Sequence, residues 1–105
     1  MAYLAMIRDD HMFQSAVYIL ASARNGTLYT GVTSNLSARI EQHRSGVAPG
    51  FVTAHRVRRL VWYEAHDTME AAIVREKRLK KWNRAWRIRL VEAMNPHWND
   101  LCETL

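Results

Sequence analysis

A chain of 105 residues, 49% of them hydrophobic, is the length of one domain and has the material for a real core. It holds no apolar run near the roughly 20 residues that span a bilayer, and its single cysteine, Cys102, excludes an internal disulfide and a multi-cysteine zinc site. A net charge of +5 and an isoelectric point near 9.9 direct attention to an anionic partner.

Residues 1–14 show no clean periodicity and read as an extension, either disordered or the product of a misassigned start codon. Asp9 and Asp10 lie in it and no charged-then-apolar leader pattern is present, so a cytoplasmic location is expected. The domain itself is expected over residues 15–101, with 102–105 as a short tail. Ala16-Val17-Tyr18-Ile19-Leu20-Ala21 and Thr27-Leu28-Tyr29-Thr30-Gly31-Val32 are β-rich runs around Arg24-Asn25-Gly26, and Asn-Gly is a strong hairpin signal. A two-residue turn at Asn25 and Gly26 pairs Ser22 with Tyr29 and Leu20 with Gly31. Cross-strand partners share a face, so Tyr18 and Tyr29 converge there, with Gly31 between them leaving room for a close approach.

A short helix follows from about Leu36, capped by Ser34 or Asn35. Leu36 and Ile40 form its inner stripe, Arg39 and His43 are one turn apart beside that stripe, and Ser45-Gly46 ends it. The 47–56 stretch, with Pro49 and Gly50, reads as a loop. Arg59-Leu60-Val61-Trp62-Tyr63-Glu64 reads as a third strand that sends Trp62 and Tyr63 to opposite faces.

Asp67 and Glu70 form a capping-box pattern that opens a second helix over residues 68–82. At about 100° per residue, Met69, Ala72, Ile73 and Leu79 make one apolar arc, and Glu76 falls in the middle of it. A carboxylate facing a core costs several kcal/mol unless a cation or a donor meets it. Taken alone, Glu76 reads as a salt-bridge partner for a lysine or for Arg39. Residues 75–90 carry eight Lys or Arg against Glu76 alone, whereas 61–74 and 91–105 are each −3. The positive charge is thus a patch, either a solvated helix face or a footprint for nucleic acid. Asn83 can cap a last helix carrying Trp86, Leu90, Val91 and Met94. Asn95-Pro96 stops it, and Trp98 and Leu101 are expected to fold the tail onto the core. The order is ββαβαα, a small α+β domain on a three-stranded antiparallel sheet flanked by helices.

Ala16-Val17-Tyr18, then Tyr29-Thr30-Gly31, then Arg39 on a helix and Glu76 on another, resembles the GIY-YIG nuclease superfamily. The match is to its small stand-alone members, which are similar to the N-terminal nuclease module of the UvrC-type excision-repair protein. It covers roughly residues 15–100. Its specificity rests on the ordered set of tyrosine, tyrosine-x-glycine, arginine and glutamate, because each motif alone is short.

The resemblance implies a phosphodiester-cleaving enzyme with one divalent ion, Mg²⁺ or Mn²⁺, held by Glu76. Waters and substrate phosphate would complete the octahedron. Arg39 takes the place of the helix arginine, whose fork suits a phosphate. Tyr18 and Tyr29 match the two motif tyrosines, one of which would take or position the nucleophile's proton. A phenol of pKa near 10 needs a nearby cation or metal for that. His43 stands where relatives carry histidine or tyrosine and would relay a proton or bind phosphate. Tyr63 reads as core, and His55, His66 and His97 as surface residues.

Gly31, Thr33, Lys77, Lys80, Lys81 and Arg84 are the candidate substrate contacts. Three departures stand out: Ala16 for glycine, Thr30 for isoleucine, and Val32 where the excision-repair type has lysine. Asn83 is the candidate stand-in for that type's helix asparagine. The function that follows is a metal-dependent DNA endonuclease, RNA not being excluded, acting on damaged, branched or flapped substrates in repair or recombination. The competing reading is a nucleic-acid-binding module with little turnover, which the basic stretch and Val32 favour. A protein-interaction domain using Trp86 and Trp98 has only aromatic content behind it. So small a domain has little surface for choosing a substrate, so a homodimer or a partner protein is expected to help.

Overall fold

The computed structural model describes residues 14–45 and 57–104. The N-terminal extension up to residue 13, Gly46, the 47–56 loop and His55 lie outside them. Strands β1 (Ser15–Ala21), β2 (Leu28–Thr33) and β3 (Arg59–His66) form one antiparallel sheet in the order β2-β1-β3. Helix α1 (Leu36–Ser45) joins β2 to β3. Helices α2 (Met69–Lys81) and α3 (Arg84–Met94) follow β3, and a 3₁₀ turn, Leu101–Thr104, closes the chain. The ββαβαα order is the one expected.

The central strand β1 is buried on both faces, as its unbroken apolar run requires. Ala16, Tyr18 and Leu20 face α1 and pack with Leu36, Ile40 and Leu60. Val17, Ile19 and Ala21 face the opposite layer with Trp62, Ala72, Leu79, Val91 and Trp98. Trp62 and Tyr63 do go to opposite clusters. Leu101 packs against the α1-side cluster while Trp98 lies in the other. The tail also binds along β3, where Asp100 Oδ1 accepts from Leu60 N at 3.2 Å and Arg59 donates to the Trp98 carbonyl at 3.1 Å. An otherwise open strand is thereby partly covered.

Two local expectations need correction. The hairpin register is displaced by two residues: Leu20 pairs with Tyr29 and Tyr18 with Gly31. The turn is four residues, Ala23 to Gly26, because Ser22 N donates to Thr27 O at 3.0 Å and Gly26 N to Ala23 O at 2.9 Å. Asn25 takes the left-handed conformation, φ 58°, that asparagine tolerates. A two-residue slip keeps every side chain on its face, so the tyrosines still converge. The second correction is the α2 cap. Thr68, not Asp67, is the N-cap, its Oγ1 accepting from Ala71 N at 3.1 Å. Asn35 caps α1 through Ala38 N at 3.1 Å, and Asn83 caps α3 through Trp86 N at 2.8 Å.

Candidate active site

Tyr18 projects from the middle of β1 toward α1 and is fully buried. A Cβ on Gly31 would lie 2.5 Å from Tyr18 Cζ and 2.6 Å from its Oη. Glycine is therefore required opposite Tyr18, and the group that approaches it closely is the phenol itself. Tyr29, two pairs along the hairpin and so on the same face, is half-buried with its ring centroid 6.3 Å from that of Tyr18. His43 rises from the last turn of α1 into the same corner, its centroid 5.9 Å from Tyr18 and 6.0 Å from Tyr29. Its Nε2 shares a 3.2 Å hydrogen bond with Tyr18 Oη, whose direction the imidazole tautomer sets. The other ring nitrogen, Nδ1, is buried and has no partner among the described residues.

Arg39, one turn earlier on α1, acts electrostatically on both Tyr18 and His43. Burial pushes the Tyr18 phenol up to about 12. The neighbouring Tyr29 adds to the rise, Arg39 pulls against it, and the Glu76 charge contributes a further lift. His43 is held below the ordinary imidazole range, first by burial and then by the Arg39 charge. The corner thus pairs a protonated phenol with a neutral imidazole at pH 7.

Glu76 sits on the buried stripe of α2 between Ala72 and Leu79, and only 9% of the residue is exposed. What meets it is a lysine: Lys80 Nζ lies 2.6 Å from Oε2, one turn along the helix. Among the described residues no group of three or more His, Cys, Asp and Glu could hold a metal. The remaining donor set, a single carboxylate, still fits a hard cation that keeps most of its waters and takes phosphate oxygens as further ligands.

The other expected contacts are more scattered. Thr33 is buried and exchanges hydrogen bonds with the Asn35 backbone, joining β2 to α1. Arg84 donates to the carbonyls of Asn25 and Gly26 at 2.6 and 2.7 Å, clamping the hairpin turn. Lys77 and Lys81 are exposed on α2. Asn83 has its side-chain oxygen committed to capping α3. Val32 is half-buried against the α2-side core, on the opposite face from the tyrosines.

A model of the GIY-YIG catalytic domain matches residues 14–89, a span holding Tyr18, Tyr29, Arg39, His43 and Glu76. The chain belongs to the GIY-YIG family. It is similar to the UPF0213 proteins of Staphylococcus aureus strains Mu50 and N315. Each is 33% identical over 84 residues, covering 80% of this chain and 96% of the relative. The solution NMR structure of the UPF0213 protein from Bacillus halodurans aligns with a TM-score of 0.53 at 29% identity, over 83% of this chain and 92% of that one. The GIY-YIG domain is a nuclease fold.

Two consequences of this corner are measurable. Gly31→Ala forces the buried Tyr18 ring aside, which is expected to cost about 1–3 kcal/mol of stability as an overpacked core site. Urea unfolding reads that loss, and an unchanged midpoint would mean the ring moves freely. The depressed His43 sets a pH dependence with a definite sign. On acidification the unfolded chain takes up the imidazole proton first. The stability this contributes is therefore fully present above about pH 6.5 and drains away as the pH falls toward the folded value. Between pH 7.5 and 5.5 wild type should lose more stability than His43→Gln; equal losses in both would contradict the burial effect.

Proposed function

We propose that this GIY-YIG protein is a divalent-metal-dependent endonuclease that hydrolyses DNA phosphodiester bonds, with damaged, branched or flapped DNA as substrate in repair or recombination. The observation that carries the reading is a core-facing carboxylate, Glu76, in a domain that also joins a buried Tyr18 to His43 by a hydrogen bond and sets Arg39 one turn from that histidine on α1. A cytoplasmic location accords with it.

Hydrolysis needs a water stripped of its proton, a stabilised pentavalent phosphate and relief of charge on the leaving oxygen. A phenol with a pKa of about 12 is ionised only to roughly one part in 10⁵ at pH 7. Tyr18 therefore works as a relay rather than as a free base. With the imidazole proton on Nδ1, His43 Nε2 accepts the Tyr18 proton as the phenol oxygen takes one from the attacking water. Arg39 places its guanidinium against the phosphate and opposes the charge that builds there. Tyr29 lines the approach beside them. Glu76 would hold the cation, with the half-exposed Lys80 chain free to turn from it to solvent. That ion, when bound, supplies Lewis acidity for the water or the leaving oxygen.

A second reading also has an observation behind it. Lys80 already neutralises Glu76, as would suit a nucleic-acid-binding module with little turnover. The test is a panel of labelled plain duplex, flapped and branched DNA and RNA of matching sequence, incubated with Mg²⁺ or Mn²⁺. Cuts on DNA, concentrated at flaps or junctions, are expected. Cutting confined to RNA would overturn the substrate class, and intact strands throughout would favour the binding module.

A further inference from the structure

The corner between α2 and α3 carries an aromatic surface that the hydrolytic residues do not use. Trp82, the C-cap of α2, and Trp86, in the first turn of α3, meet edge to face with centroids 5.9 Å apart and an interplanar angle of 87°. Trp82 is fixed from behind. It packs on the α2-side core, and the Arg75 guanidinium lies 5.5 Å from its ring centroid. Arg75 is itself held by Glu64, Nε to Oε1 at 3.0 Å. Trp86 stands outward on this support and is 49% exposed. With Arg89 and Leu90 the two indoles line an open groove.

A large exposed indole asks for an apolar occupant, while its surroundings ask for an anionic one. Residues 75–90 hold eight cations, and their one carboxylate, Glu76, already has Lys80. A second copy of the chain would bring the same positive patch against it, which like charge opposes. A nucleic-acid strand satisfies both demands, presenting a planar base to the indole and phosphates to Arg89 and its neighbours. In a duplex the base faces are covered by their neighbours in the stack, so only an unpaired base can reach Trp86.

We propose that the Trp82–Trp86–Arg89 groove binds an unpaired base in a single-stranded part of the substrate. This rests on the nucleic-acid reading above and sharpens it. Trp82 follows Glu76 by six residues, about 9 Å along the helix axis and about 120° around it, so a short single-stranded run leads from the groove round α2 to the hydrolytic carboxylate. The preferred substrate then has single-stranded character beside the cut.

The test is fluorescence anisotropy in EDTA, so that nothing is cut, with labelled oligo-dT and a duplex of the same length. Trp86→Ala is expected to weaken oligo-dT binding about tenfold while changing duplex binding less than about twofold, and Trp86→Phe, which keeps a π-face, should retain most of the affinity. Arg89→Ala should lower the salt dependence by about one charge. Equal loss on both nucleic acids, or no loss on oligo-dT, would overturn the stacking groove while leaving the nuclease reading intact. Wild type that binds neither would remove the nucleic-acid reading itself. Light scattering that shows a dimer abolished by Trp86→Ala, with no single-strand preference, would assign the groove to self-association instead.

Discussion

Replacing Trp98 by alanine is expected to lower the free energy of unfolding by about 3–5 kcal/mol, a large share of the roughly 5–15 kcal/mol that stabilises such a domain. Trp98 is wholly buried in the layer between the sheet and the helices α2 and α3. Its indole N–H also donates to Glu92 Oε2 at 2.8 Å. Truncation leaves a cavity the size of an indole and takes that donor from the carboxylate. It also releases the tail, whose Asn99 and Asp100 are held to Asn95 and Leu60 nearby. Urea unfolding followed by far-UV circular dichroism reads the change. A loss under about 1 kcal/mol would show that the tail contributes little to the fold.

Glu76→Ala should have the opposite profile. Loss of the only cation-holding carboxylate proposed for the site removes several kcal/mol of transition-state stabilisation, on the order of 10³-fold in cleavage rate. Stability should hold or rise, because alanine removes a core-facing charge whose partner, Lys80, sits on a half-exposed side chain. A thermal midpoint lowered by many degrees would mean that Glu76 is chiefly a structural ion-pair residue. Cleavage near the wild-type rate would move the metal elsewhere.

Much of this architecture is legible in local pattern. The 3.6-residue period places Glu76 on the inner arc of α2, and the structure buries it there between Ala72 and Leu79. Alternation in the first two strands puts Tyr18 and Tyr29 on one face, and this survives even though the turn is misread. Period two forgives a slip of two but not of one. The true register depends on contacts no short-range signal contains, above all Arg84 reaching back from α3 to the turn carbonyls.

The site's electrostatics are less legible. A phenol at a catalytic position suggests a depressed pKa, but Tyr18 lies in a central strand where desolvation outweighs the nearby guanidinium. Its partner His43 is 25 residues away in sequence, a pairing that only the packing of α1 on the sheet creates. The last helix shows the same gap. Of the apolar residues along it, Trp86, Leu90, Val91 and Met94, the sequence does not say which turn inward; Trp86 and Met94 are exposed, and Val91 is the residue α3 buries. Trp98 does reach the core, as expected of the tail, but in a left-handed conformation with φ 58° that no helical or strand period anticipates.

A corner that hydrolyses phosphodiester bonds with a divalent ion should cut DNA only when that ion is present. The most direct measurement is a single-turnover time course of end-labelled flapped DNA with excess protein, in Mg²⁺ and in EDTA, with a gel shift run in parallel. The DNA is expected to be bound in both and cut only with Mg²⁺. DNA that stays bound and intact in Mg²⁺, or is cut equally well in EDTA, would contradict it.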